Sequence, residues 1–192
     1  MKAALNNSLI ILTILISFSS CNDESSNPDV IQLLINSSAE AGSQKPNKWY
    51  ASSGSYLTEW SGDHSFSGSK SLMISSDNDV GNFAYWSQSV LTDIPYNRRL
   101  RLSCIIKLDN VDPNSDGVSI AIRGDGADGK SVFFYTTQGD MTIRGDEDWE
   151  EYSIEMKSAI PESVNSLIVF LILLNDTYGT VYFDDIILET IN

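Results

Sequence analysis

Leu100-Arg101-Leu102-Ser103-Cys104-Ile105-Ile106-Lys107-Leu108 is the stretch that decides the fold. Leu100, Leu102, Cys104, Ile106 and Leu108 share one parity, while Arg101, Ser103 and Lys107 share the other, broken there only by Ile105. Successive side chains of a strand point to opposite faces, so this is the period of a half-buried strand and not of a helix. Val118, Ile120 and Ile122 repeat it against Ser119, Ala121 and Arg123.

Outward from that segment, runs rich in Val, Ile, Phe and Tyr alternate with clusters of Gly, Asn, Asp, Ser and Pro. The pattern predicts strands near 30–35, 71–75, 82–91, 99–108, 117–123, 131–137, 141–144, 150–156, 166–174 and 180–189. Leu167 to Leu174 (LIVFLILL) is apolar at every position and therefore needs cover on both faces, the second from a loop, another subunit or an apolar ligand. Many strands with turn signals between them predict an all-β sandwich or barrel. At 192 residues, with 42% hydrophobic and 20% charged, one core is expected.

The formal net charge of -14 argues against nucleic acid or an anionic membrane surface as a partner, because like charge repels. Of the two cysteines, Cys21 lies near the N-terminus and Cys104 sits alone in its strand, so no internal disulfide is expected. Lys2, the apolar run Leu9 to Ile16 and the small residues Ser17, Ser19 and Ser20 read as a secretory signal over residues 1–20. The run is short of the roughly 20 apolar residues that span a bilayer. Phe18-Ser19-Ser20-Cys21 resembles a bacterial lipobox, with Phe18 where Leu is usual, which implies lipidation of Cys21. Residues 21–29 are acidic and polar and read as a flexible tether, leaving 30–192 as the folded domain. Export, an outer-membrane location and membrane contact through the lipid alone are the matching expectations.

Five segments resemble carbohydrate-binding modules of the galactose-binding-like jelly-roll class. They are Ile35 to Glu40, Trp49, His64 to Leu72, Trp86 to Val90 and Val181 to Ile186. These are similar to the N-G-x-F-E opening of that class, its G-W, its H-S-G-x-x-S-L, its W-x-Q-x-V and its closing F-D-D-V. Ala39 replaces an aromatic, and Phe66 and Ser67 lengthen the third segment. The resemblance implies a single-domain jelly-roll β-sandwich, a carbohydrate ligand and, since nothing follows the sandwich, any partner enzyme or surface protein on a separate chain. It also implies a structural calcium ion between the first and last strands, held by Glu40 and Asp184 with carbonyls near Ser67 to Lys70, Asp185 being the alternative ligand. Trp49 and Trp149 fall where the class packs its core.

Sugar recognition needs flat aromatic faces beside directed hydrogen-bonding groups. Trp86 and Gln88 share one parity of a strand, and Arg123 and Tyr135 stand on the polar parities of two others, so these four are expected to line a sheet face. Trp60, with Tyr56 and Glu59, offers a loop site instead. Asp112 to Gly117 begins like a calcium loop, but Arg123 stands where the closing Glu is required, so a turn is expected there and at Asp125 to Gly129. With His64 the single histidine, and with no G-x-S-x-G, phosphate loop or H-E-x-x-H, catalysis is not expected. The acids, moreover, fall mainly in turns and strand ends. The expected function is non-catalytic carbohydrate binding at the cell surface. The alternatives are an interaction protein using the apolar face around Phe170 and, third, a glycosidase with two carboxylates across a groove.

Overall fold

The computed structural model describes residues 30–54, 56–77 and 82–192. Residues 1–20, expected to be a signal segment, Cys21 and the expected tether over 21–29 lie outside these described residues. Among the described residues no helix is long and apolar enough to cross a membrane.

The chain forms ten strands: β1 (Tyr50–Ala51), β2 (Leu57–Ser61), β3 (Ser71–Ser76), β4 (Ala84–Val90), β5 (Arg99–Val111), β6 (Val118–Gly126), β7 (Ser131–Thr136), β8 (Gly145–Glu155), β9 (Val164–Leu173) and β10 (Gly179–Ile191). They make two five-stranded sheets, in the orders β1-β4-β9-β6-β7 and β2-β3-β10-β5-β8. Every pairing between these strands is antiparallel. The alternation read at Leu100 to Leu108 holds: its five even-numbered residues are buried, and they meet the inward residues of β9 and β6, Leu167, Val169, Leu171, Leu173, Val118, Ile120 and Ile122. Each such side chain taken fully out of water contributes about 1.5–3 kcal/mol, which is why the sandwich closes around these two parities. Cys104 belongs to this core, and burial pushes its thiol well up from the usual value.

Three departures from the expected strands have local causes. Residues 30–35 make only an isolated bridge, Gln32 with Glu189, because the Gln32 side chain itself takes up ladder amides: its Oε1 accepts from Leu34 N at 3.2 Å and Leu188 N at 3.0 Å. At 141–144 only Met141 bridges, and the carbonyl of Ile143 accepts from Val118 N at the start of β6. The short β1 and β2 were not legible in the Gly/Ser-rich stretch that carries them. Trp49 is buried as expected, but Trp149 is only half-buried and meets Phe66 edge-on at 6.1 Å.

β10 carries a bulge between Asp184 and Ile187, with Asp185 at φ 43°. Val181 and Phe183 point inward before it and Ile186 and Leu188 after it. Without the extra residue, the period of two would turn Asp185 into the core; the bulge instead keeps both acidic side chains out of it.

Candidate ligand-binding cleft on the outer face of the first sheet

The outward parity of β4, β9, β6 and β7 gathers Tyr85, Phe170, Ile172, Arg123 and Phe134 in one place. Their register is fixed by the pairs Tyr85 with Ile172, Arg123 with Ile168 and Arg123 with Phe134. With Phe83, Gln138 and Leu174 they line a cleft of about 350 Å³. Phe83 and Phe134, on the two sides of the cleft, are each 52% exposed, so the cleft offers large apolar side chains to solvent from both walls. Tyr85 meets the Phe170 ring edge-on at 5.4 Å, and the Arg123 guanidinium carbon lies 5.2 Å from the centre of the same ring. The second face of the apolar strand β9 is thus half-covered, by an aromatic from β4 and a cation from β6.

Arg123 Nη2 donates to Asp125 Oδ2 at 2.9 Å. Asp125, read from the sequence as a turn residue, is instead inside β6 and 7% exposed. Its other oxygen, Oδ1, and Arg123 Nε are both buried and have no hydrogen-bond partner among the described residues. A buried polar group left unpaired costs about 1–3 kcal/mol, so this pair holds unspent hydrogen-bonding capacity beside the cleft.

The other expected ligand residues are placed elsewhere. Trp86 is 5% exposed, and its indole Nε1 donates to Met73 O at 3.0 Å. Gln88, also buried, pairs with Ile35 as a strand would: Oε1 accepts from Ile35 N at 2.8 Å and Nε2 donates to Ile35 O at 2.9 Å. Tyr135 stands opposite Ile122 and packs on the core. The expected face was therefore one residue out of phase in β4 and β7, where Tyr85 and Phe134 are the outward aromatics. Tyr56 and Trp60 pack against the core, and Trp60 Nε1 donates to Ala39 O at 2.7 Å with Lys70 Nζ 5.0 Å from its ring centre. Glu59 is exposed, so the alternative loop site does not assemble. A mixed signal was available for the cleft: Phe170 and Ile172 needed cover, and the parity opposite Ala84-Trp86-Gln88 held Tyr85.

Glu40 and Asp184 meet the same loop, residues 64–70, from opposite ends of the chain. Glu40 Oε1 accepts from Ser69 N at 2.9 Å and Lys70 N at 2.7 Å, and its Oε2 accepts from Ser69 Oγ at 3.0 Å. Asp184 Oδ2 accepts from Phe66 N at 2.8 Å and Ser67 N at 3.0 Å, while its Oδ1 accepts from Asp185 N at 2.7 Å. Asp185 instead accepts from Ser67 Oγ at 2.8 Å. Desolvation pushes the Glu40 carboxyl up, but the Ser69 and Lys70 amides, the Ser69 hydroxyl and the Lys70 charge together hold it below its usual value. Burial dominates at Asp184, whose carboxyl lies above its usual value despite its amide donors.

A calcium ion requires six to eight oxygens. The groups aimed at these two carboxylates are N–H donors and a hydroxyl rather than carbonyls, and no cluster of three or more His, Cys, Asp or Glu converges among the described residues. This donor set does not fit calcium as arranged; it fits a hydrogen-bonded clamp on the loop.

No family model matches the chain, and no curated protein does. Solved structures do. The CBM22-1 xylan-binding domain of Paenibacillus barcinonensis Xyn10C has a TM-score of 0.57 at 14% identity, over 81% of this chain and 92% of that one. TmCBM61, solved with β-1,4-galactotriose, has a TM-score of 0.53 at 15% identity, over 82% of this chain and 97% of that one. The fold is a jelly-roll β-sandwich of the kind these two modules have. A cyclase from Fischerella sp. TAU shares this jelly roll, with a TM-score of 0.64 at 15% identity over 85% of this chain and 98% of that one. The jelly roll spans only 22% of the enzymatically active domain of bacteriophage CBA120 tailspike protein 4, to which it is also similar (TM-score 0.59, 18% identity, 84% of this chain).

Proposed function

We propose that this chain is a non-catalytic binding module that holds a carbohydrate in the cleft over β9, working from an exported, lipid-anchored position. The observation that carries the reading is the row of half-exposed aromatics, Phe83, Tyr85 and Phe134, set beside Arg123 and Gln138. Aromatic faces stack on the C–H faces of sugar rings, and a few directed polar groups fix orientation. The xylan-binding and galactotriose-bound modules that share the jelly roll support the ligand class. A glycosidase would need two carboxylates across the cleft. Among the described residues its wall carries none, the nearest placed by register being Asp125 behind Arg123.

The test is affinity electrophoresis through gels holding xylan, β-1,4-galactan or another neutral polysaccharide, with Phe134→Ala and Tyr85→Ala as controls. Retardation by at least one polysaccharide, lost in both variants, is the expected result. Wild-type protein running freely through every gel contradicts the reading. A second reading rests on the apolar wall of Phe170, Ile172 and Leu174: the same face docks a partner protein. Under that reading, light scattering or co-purification finds a complex that Phe134→Ala dissolves, and no polysaccharide retards the chain.

A further inference from the structure

The Arg123–Asp125 pair is joined by a single bond although both groups are able to make two. A guanidinium and a carboxylate commonly meet through two parallel N–H···O contacts. Here Arg123 Nη2 reaches Asp125 Oδ2 alone, at 2.9 Å, leaving Nε–H without an acceptor and Oδ1 without a donor. Both free atoms are buried; strand register sets Arg123 against Phe134 and Ile168 in the cleft wall, and Asp125 stands directly behind it. The Arg123 side chain is 37% exposed against 10% for Asp125, so the guanidinium is the movable partner.

We propose that this pair is the specificity element of the cleft: when the guanidinium turns, Nε–H and Oδ1 together take one hydroxyl of a neutral sugar ring whose apolar face lies on Phe134. The inference rests on the binding-module reading above and deepens it by naming the ligand chemistry. A donor and an acceptor presented together match a group that accepts and donates at once. A hydroxyl does both. An ether oxygen or a carboxylate only accepts and an ammonium only donates, so each leaves one of the two atoms unpaired. A uronate or sulfate is also opposed by Asp125 itself and by the net charge of -14. Neutral glycans are therefore selected over acidic ones. Ring orientation is set by the pair, and stacking supplies the rest.

The test measures binding of soluble neutral xylan and β-1,4-galactan oligosaccharides, their monodeoxy analogues, and polygalacturonate, by calorimetry. The proteins are wild type, Arg123→Lys, Asp125→Asn and Phe134→Ala. Arg123→Lys keeps the charge and removes Nε–H, and Asp125→Asn keeps the shape and removes the carboxylate. Each is expected to weaken neutral-oligosaccharide binding about tenfold or more, and one deoxy analogue to bind wild type about tenfold worse yet Asp125→Asn no worse than the parent sugar. Polygalacturonate is expected to stay unbound. Loss of binding in Phe134→Ala with both pair variants unchanged overturns the specificity element and leaves the cleft reading standing. Binding that survives all three variants, or its absence in wild type, overturns both. Stability gives a ligand-free arm. An Arg123→Met, Asp125→Leu double variant is expected to melt no lower than wild type, since it removes two unpaired atoms; a fall of more than about 5 °C marks the pair as structural and overturns the proposal.

Discussion

Trp86 and Phe134 are both aromatic, both central in their strands, and face opposite ways. Trp86 is sealed in the core with its indole N–H bonded, so Trp86→Ala opens a cavity and is expected to cost about 3–5 kcal/mol in urea unfolding. Phe134→Ala removes a side chain already half in water and is expected to cost under about 1 kcal/mol while abolishing retention by polysaccharide. Glu40 makes its case through pH. Its folded carboxyl is held low, so the stabilisation is fully present above the ordinary value of 4.5 and is lost as pH falls through the lowered one. Glu40→Gln is thus expected to lose under about 1 kcal/mol at pH 7, because solvent screens this solvent-accessible carboxylate, and the gap to wild type is expected to close as pH falls below 4.5. Asp184 runs the other way: its raised carboxyl favours the folded state below the ordinary 3.8 and loses that favour as pH rises through the folded value. An acid titration of Asp184→Asn by circular dichroism is expected to show less recovery of relative stability on acidification than wild type.

Among the elements, loop 64–70 shows how much conformational restraint a few side chains impose. Gly68 stands at φ 59°, and a Cβ there would lie 2.5 Å from Glu40 Cδ, an atom fixed by the bonds to Ser69 and Lys70. Gly68→Ala is expected to lose about 2 kcal/mol, read as a lower urea midpoint with an unchanged slope. The strands themselves were legible to different depths. β5, β6 and β9 declared themselves because alternation or continuous apolarity tracks burial directly. β2 did not, because Leu57 and Glu59 on its outward parity are both exposed, one apolar and one charged, which blurs the period. In β4 the strand was legible and its facing was not. A glutamine beside a tryptophan reads as a polar surface until Ile35 is seen to pair with its amide. Asp125 escaped notice for the same reason, since Asp-Gly is turn chemistry in sequence and the strand runs through it.

At the scale of the molecule, two carboxylates from residues 40 and 184 grip one loop, and the class resemblance that suggested calcium located the grip but not its chemistry. Adding calcium or a chelator is expected to leave the melting temperature within about 1 °C, and a rise of several degrees with calcium would mean that the loop turns its carbonyls toward Glu40 and Asp184. The charge of -14 disfavours the compact state through self-repulsion, so raising salt from about 10 to 300 mM is expected to raise the melting temperature by a few degrees. The two ends of the described domain also lie side by side: Ile31 N donates to Thr190 Oγ1 at 3.1 Å, Thr190 N to Ile31 O at 3.1 Å, and Leu33 N to Leu188 O at 2.8 Å. Antiparallel and terminal, these bonds are loaded one at a time when the ends are drawn apart, so the molecule opens like a zip rather than resisting in shear. Under tension the first few residues peel off the last strand at low force, giving the domain a short extensible leader while the sandwich behind it stays shut.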